Sequence, residues 1–193
     1  MKVYLARHGQ TAWSLAGRHT GRNDIPLTPE GEREAQKLGV RLQPLSFGAV
    51  LMSPLARARR SCEIAGFGAA AEVVPDLMEW DYGEYEGLRF AEIRARRPDW
   101  HLFRDGCPGG ERPEDVIARV DRVIATLKSS SADTLIFAHG HLLRVLAVRW
   151  IGIPLEAAGH LSLSPASLSL LGRDSNSEEP VIERWNDVSH LIG

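Results

Sequence analysis

Four residues near the start of the chain, Ala6-Arg7-His8-Gly9, are the first whose types could do chemistry. They follow Val3-Tyr4-Leu5, a short apolar run that reads as a buried strand ending in a polar turn. In open α/β sheets, ligands bind outside the carboxyl ends of the strands. A second such place comes late. Thr134-Leu135-Ile136-Phe137-Ala138 is the clearest strand in the sequence, and it ends in His139-Gly140-His141. Between the two, the apolar run Ala49 to Met52 leads through Ser53-Pro54 to Arg57. If these three strands are neighbours, two arginines and two histidines meet at one spot.

Such a pocket suits a phosphate, because guanidinium groups bind phosphate oxygens in a bidentate way. The helices expected after Ser53 and after His139 can add backbone N–H donors. No G-x-x-x-x-G-K-[ST] loop is present, which points away from nucleotide hydrolysis. A histidine can instead be the nucleophile, carrying the phosphoryl group on a ring nitrogen. It must be neutral to attack, and nearby arginines disfavour the imidazolium. Its other ring nitrogen needs an acceptor, such as a backbone carbonyl, to fix the tautomer. Protonating the leaving alkoxide needs an acid. The acidic and aromatic stretch 77–87 offers Glu79, Asp81, Glu84 and Glu86, and the residues alone rank these four poorly.

The elements that must position these groups follow from periodicity and punctuation. Residues 9–28 carry too many glycines and basic residues for a helix or strand and read as a functional loop. Thr28-Pro29 starts a helix in which Ala35, Leu38, Leu42 and Leu45 share a face. Ser53-Pro54 is expected to cap the next helix, with Arg57 in its first turn and Arg59 and Arg60 towards solvent. Val73-Val74 reads as a third strand, Arg89 to Arg97 as a short helix, and Pro113 opens a longer one through Leu127. The helix Leu142 to Trp150 is apolar almost all round, which implies burial. Leu161/Leu163 and Leu168/Leu170 alternate about Pro165-Ala166 as a β-hairpin would, and Val181 to Trp185 adds an edge strand. Strands alternating with helices imply one α/β/α sandwich over residues 1–193, with a mainly parallel central sheet and an antiparallel edge.

Composition sets the outer bounds. The chain has 193 residues, 44% hydrophobic and 25% charged, which fits one globular domain. A formal net charge of −2 gives no reason to expect a nucleic-acid partner. No apolar run reaches the roughly 18 residues a membrane helix needs, and residues 1–5 are too short for a signal peptide. Cys62 and Cys107 are the only cysteines and lack metal-ligand spacing. The expectation is a cytoplasmic monomer or homodimer.

Arg7-His8-Gly9 resembles the signature of the histidine phosphatase superfamily, in its phosphoglycerate-mutase-like branch. The match continues through Asp24-Ile-Pro-Leu-Thr-Pro-Glu-Gly31, Ser53-Pro-Leu-Ala-Arg57-Ala58, Leu77-Met-Glu79 with Gly83-Glu-Tyr-Glu86-Gly87, and His139-Gly140. Order and spacing agree from residue 2 to about 150. The resemblance implies the α/β fold and the following roles. His8 is the phosphorylated nucleophile, and Arg7, Arg57 and His139 hold the transferring phosphoryl group. Glu79 is the proton donor, and Glu86 is then a structural loop residue. It implies no metal and no cofactor. His141 is given no definite role, and His19, His101, His160 and His190 match no motif.

The family often has Asn after the first-loop Trp, where this chain has Ser14. Gln10-Thr11-Ala12-Trp13-Ser14 with Thr20-Gly21 is similar to a subgroup resembling acid phosphatases and sedoheptulose-bisphosphatases. Gln10, Ser14, Thr20, Gly21 and Gly140 therefore join the substrate-binding group, and the substrate tilts towards a small sugar phosphate. The expected activity is metal-independent hydrolysis of a small-molecule phosphate ester. The alternative is a phosphoglycerate mutase with the same phosphohistidine chemistry. Mutases of this kind carry an insertion after the acid loop, and only 25 residues separate Gly87 from Pro113 here, so hydrolysis is favoured.

Overall fold

The computed structural model describes residues 1–192. Six strands form one sheet: β1 (Val3–Arg7), β2 (Ala49–Met52), β3 (Ala71–Val73), β4 (Thr134–Ala138), β5 (Leu168–Arg173) and β6 (Pro180–Asp187), in the order β3-β2-β4-β1-β5-β6. The first four in that order are parallel, while β5 runs antiparallel to both β1 and β6. The three strands expected to deliver the site residues are therefore adjacent. Their register aligns their ends, with Arg7 opposite Ala138 and Met52 opposite Phe137. His8, Ser53 and His139 all leave the sheet at one level.

Helices cover both faces. These are α1 (Ala12–Leu15), α2 (Pro29–Leu42), α3 (Ala56–Ile64), α4 (Phe90–Arg96), α5 (Leu102–Asp105), α6 (Pro113–Lys128) and α7 (Gly140–Trp150). Side chains of a strand alternate between the two faces. In β4, Ile136 and Ala138 point into the core under α6 and α7, while Leu135 and Phe137 point into the core under α2 and α3. All five β4 residues are buried, so the strand reads as a continuous apolar run. Among the described residues no helix is long and apolar enough to cross a membrane.

Several local readings are corrected. Residues 9–28 are not wholly irregular. Thr11 caps α1 in a capping box with Ser14, a T-x-x-S spacing that the abundance of glycine and arginine obscured. Ser53 does not cap α3, which begins at Ala56. Its first N–H is met from a distance by Asp24, 2.7 Å from the Ala56 nitrogen. β3 ends at Val73, one residue earlier than expected.

The hairpin expected across 161–170 does not form. It lies between β5 and β6 instead, and 161–164 crosses the sheet edge as coil. The alternation of leucines is present, but the Leu163 carbonyl is taken by the Arg7 guanidinium rather than by a strand partner. Ala166 adopts φ 50°, which breaks the extended run before β5.

Candidate active site

β1 delivers Arg7 and His8 to the sheet edge. His8 is 3% exposed, and its Nδ1 lies 2.8 Å from the Gly9 carbonyl oxygen. A carbonyl only accepts, so Nδ1 carries the proton and Nε2 keeps its lone pair. Burial, then Arg57, then Arg7 hold the His8 pKa well below the usual imidazole value. The ring is a neutral base with its free nitrogen defined by the backbone.

β2 and α3 deliver Arg57, which is fully buried. Its Nη1 donates to Asn23 O at 3.0 Å, and its Nη2 donates to Thr20 O at 3.0 Å and Gly21 O at 2.8 Å. That loop is held in turn by Glu86, whose carboxylate accepts the N–H groups of Gly21, Arg22 and Asn23. A Cβ at Gly21 would overlap the Glu86 carboxylate and the Trp80 carbonyl, so the loop can close on Glu86 only with glycine there. Glu86 is a structural loop residue in this geometry.

β4 delivers His139, fully buried, with ring centroid 5.2 Å from that of His8. Its Nε2 is 2.7 Å from Ser53 Oγ. Ser53 Oγ also accepts the Leu55 N–H at 3.3 Å. Where the Ser53 hydroxyl donates to Nε2, Nδ1 of His139 carries the ring proton. Burial, followed by the charge of Arg57, holds the pKa of this ring well below the usual imidazole value as well.

Three buried donors at this edge have no hydrogen-bond partner within the protein: Arg7 Nε, Arg57 Nε and His139 Nδ1. Leaving such a donor unpaired typically costs about 1–3 kcal/mol, more when it is charged. Their concentration beside one imidazole suits an anion.

Glu79 faces them from the 77–87 segment and is 4% exposed. Its Oε1 accepts from Trp80 N and Leu142 N, both at 2.9 Å, and its Oε2 accepts from His141 N at 3.0 Å. A carboxylate oxygen has two lone pairs. Oε1 is filled, and Oε2 has one left for a proton. The first turn of α7 therefore spends its His141 and Leu142 N–H groups on Glu79, and α3 spends that of Ala56 on Asp24. Of the helix-start donors expected for phosphate, these three are therefore taken, while Gly140, the first residue of α7, lines the cavity. The positive end of the α7 dipole still faces the site.

A cavity of about 210 Å³ opens here, lined by Arg7, His8, Ser14, Thr20, Glu79 and Gly140 among the expected residues. Arg57 and His139 are not among its lining residues. Gln10 and Gly21 do not line it. Gln10 Oε1 accepts from Thr28 Oγ1 at 2.9 Å, and Gly21 is occupied at both backbone groups by Glu86 and Arg57. Ser14 lines the cavity, with its hydroxyl bonded to the Thr11 backbone.

Tyr82, Arg144, His19 and His141 also line the cavity; the sequence reading left His141 without a definite role, matched His19 to no motif and gave Tyr82 and Arg144 no role. A charge inside the otherwise apolar stretch 142–148 was the available signal for Arg144. Nothing local marks Tyr82 or His19. Among the described residues, no three His, Cys, Asp or Glu are grouped so as to hold a metal ion.

Comparison with known proteins follows the same lines. Residues 3–188 match the family model described as histidine phosphatase superfamily (branch 1). An acid phosphatase of Mycobacterium tuberculosis is 38% identical, with 89% of this chain and 86% of that relative covered. Sedoheptulose 1,7-bisphosphatase of Saccharomyces cerevisiae is 34% identical over 80% of this chain and 69% of its own. A probable phosphoglycerate mutase GpmB of Erwinia tasmaniensis is 32% identical, with 99% and 95% covered. Among solved structures, an open reading frame product of Mycobacterium tuberculosis matches with TM-score 0.89 and 35% identity, over 96% of this chain and 98% of that one. A putative α-ribazole-5′-phosphate phosphatase from Escherichia coli matches with TM-score 0.82 and 28% identity, over 97% and 96%.

Proposed function

The chain belongs to the histidine phosphatase superfamily, branch 1, and is a phosphatase; from that premise we propose that His8 is its nucleophile and that residues 1–193 act as one catalytic domain on a small phosphorylated metabolite. The observation that carries this reading is the neutral His8 ring, its Nδ1–H tied to Gly9 O, set beside three unpartnered buried donors.

The steps follow from the geometry. Arg7, Arg57 and His139 Nδ1–H bind the phosphoryl oxygens and neutralise their charge without a metal. His8 Nε2 attacks phosphorus, the P–O bond to the leaving group breaks, and Glu79 Oε2 gives its proton to the departing alkoxide. Glu79, now a carboxylate, takes a proton from water. The resulting hydroxide attacks phosphorus, the P–N bond breaks, and His8 returns neutral.

The similarity to a sedoheptulose 1,7-bisphosphatase supports a sugar phosphate over other esters. The short 88–112 segment supports hydrolysis over mutase transfer. A cytoplasmic setting is supported by Cys62 and Cys107, both buried and unpaired.

Denaturing quench with phosphorus-labelled substrate tests the assignment. An acid-labile, base-stable adduct should map to His8 and be absent from His8→Ala, which should lose turnover. Wild-type turnover by His8→Ala would overturn it.

A further inference from the structure

Residues 78–82, which carry Glu79, belong to no helix or strand, so their backbone groups need partners elsewhere. On either side of Glu79 two residues supply them. One is Arg119 of α6. The other is Glu111, in the coil ahead of α6.

Before Glu79, Arg119 Nη1 donates to Asp76 O at 2.8 Å and to Met78 O at 2.6 Å. After it, Glu111 Oε2 accepts the Asp81 N–H at 2.8 Å, and the Glu111 backbone oxygen accepts from Trp80 Nε1 at 3.0 Å. The Glu111 N–H donates in turn to Asp81 O at 2.9 Å. The two side chains also bond each other as two parallel forks, Arg119 Nε to Oε1 at 2.8 Å and Nη2 to Oε2 at 3.0 Å. Their side chains are only 7% and 15% exposed. The backbones are in direct contact as well, since a Cβ at Gly110 would overlap Asp81 O and Gly83 N.

Burying two charges is costly, and well-packed apolar side chains of the same volume stabilise a fold as well or better. Apolar side chains could not bond the backbone beside Glu79, and that is what this pair does. The Glu79 carboxylate is tied to the first turn of α7 through His141 N and Leu142 N. Its backbone is tied to α6 and the coil ahead of it through Arg119 and Glu111. Neither Arg119 nor Glu111 lines the cavity.

We infer that Arg119 and Glu111 are positioning residues for the acid step, fixing the backbone on both sides of Glu79 so that Oε2 meets the leaving oxygen. This rests on the reading of Glu79 as the general acid. A misplacement of about 1 Å, even from a change far from the chemistry, can cost about 10²-fold in rate.

The test reads kcat/KM on two substrates. One is p-nitrophenyl phosphate, whose leaving group needs little protonation. The other is the faster of glycerol 3-phosphate and fructose 1,6-bisphosphate, whose alkoxides need it. Glu111→Gln should lower kcat/KM for the alkyl ester by about 10- to 100-fold and for p-nitrophenyl phosphate by less than about threefold. The inhibition constant of inorganic phosphate should stay within about twofold, because Arg7, Arg57 and His139 are left in place. Arg119→Gln should show the same selective loss, and Arg119→Lys, which keeps the charge, should recover part of it. A purely structural role would lower both substrates together or weaken phosphate binding. Should Glu111→Gln fail to fold, Arg119→Lys against wild type carries the same comparison.

Glu79→Gln is measured alongside. If it shows the selective loss while Glu111→Gln loses both substrates equally, or neither, the positioning role is overturned and the acid assignment stands. If Glu79→Gln itself shows no selective loss, the acid assignment is overturned and the positioning role falls with it.

Discussion

In the proposed reaction Glu79 has the most demanding task of any single residue, because there it gives a proton and then takes one. Its Oε1 is saturated by two backbone N–H groups while Oε2 keeps one free lone pair, so only one oxygen can serve. General acid help is typically worth about 10²–10⁴-fold and matters most for poor leaving groups. Glu79→Gln should therefore cut hydrolysis of alkyl phosphates by about that factor. With p-nitrophenyl phosphate the first step should suffer less. The second step still lacks its base, so rapid-quench measurement should show a nitrophenolate burst and accumulated phosphohistidine. Equal losses on both substrates with no burst would move the role to another carboxylate. Ser53 shows the limit of reading residues one at a time. On the sequence it looks like a helix cap, whereas in the fold its hydroxyl lies 2.7 Å from His139 Nε2 and, by donating there, would leave the ring proton on Nδ1. Ser53→Ala should lower kcat/KM about tenfold, in line with the loss of one hydrogen bond of about 1–2 kcal/mol. The ¹⁵N shifts of His139 should then report mixed tautomers. Unchanged shifts would show that Ser53 does not set the tautomer.

At the scale of elements, the fully buried Arg57 is placed by a relay that no local pattern announces. Glu86 holds the N–H groups of 21–23, and the carbonyls of Thr20, Gly21 and Asn23 hold Arg57. Glu86→Ala should leave those N–H groups without their acceptor, lower stability in urea by about 1–3 kcal/mol, and raise KM for phosphate esters by loosening Arg57. A change in stability with no change in KM would separate the loop from the site. The elements that could be read from sequence were those with one dominant period: β1, β2 and β4 as apolar runs, and α2 and α6 from their spaced leucines and valines with Thr28 and Pro113 at their starts. Arg7, His8, Arg57 and His139 were legible for the same reason, since each lies at or just beyond the end of such a strand. The failures came where long-range hydrogen bonds override a local pattern. The leucines of 161–170 alternate like a strand, but Arg7 takes the Leu163 carbonyl. Gln10 sits in a binding-like motif, but Thr28 takes its side chain. Tyr82, His19 and Arg144 meet only in three dimensions, from three separate segments.

For the whole molecule, two apolar cores on opposite faces of the sheet hold a polar edge that is itself buried, and this ties stability to pH. His8 and His139 both have folded-state pKa values well below 6.5, chiefly from burial and next from Arg57. Above about pH 6.5 they are neutral in the folded and unfolded states alike and add no pH dependence. Below it the unfolded chain binds protons that the folded one refuses, so stability falls as pH falls. The slope is about 1.4 kcal/mol per pH unit for each histidine until the folded-state pKa is reached. Asp105 and Asp187, with pKa values lowered to about 2 by Arg104 and Ser189 respectively, act in the same direction but only below their usual value of 3.8. The interval from pH 6.5 to about 4.5 thus belongs mainly to histidine. Urea unfolding at pH 7, 6 and 5 should show a fall in stability across that interval, and the His8→Gln/His139→Gln double variant should lessen it, the rest coming from His141, His19 and His190, whose pKa values are lowered as well. A dianion that pairs with Arg7 Nε, Arg57 Nε and His139 Nδ1–H binds only the folded state. Inorganic phosphate at 100 times its Kd should therefore add about 2.7 kcal/mol, and the variant lacking both histidines should gain less at the same concentration. If wild-type stability is flat from pH 7 to 5, or phosphate stabilises both proteins equally, the two histidines are not the neutral, anion-facing pair that the geometry describes.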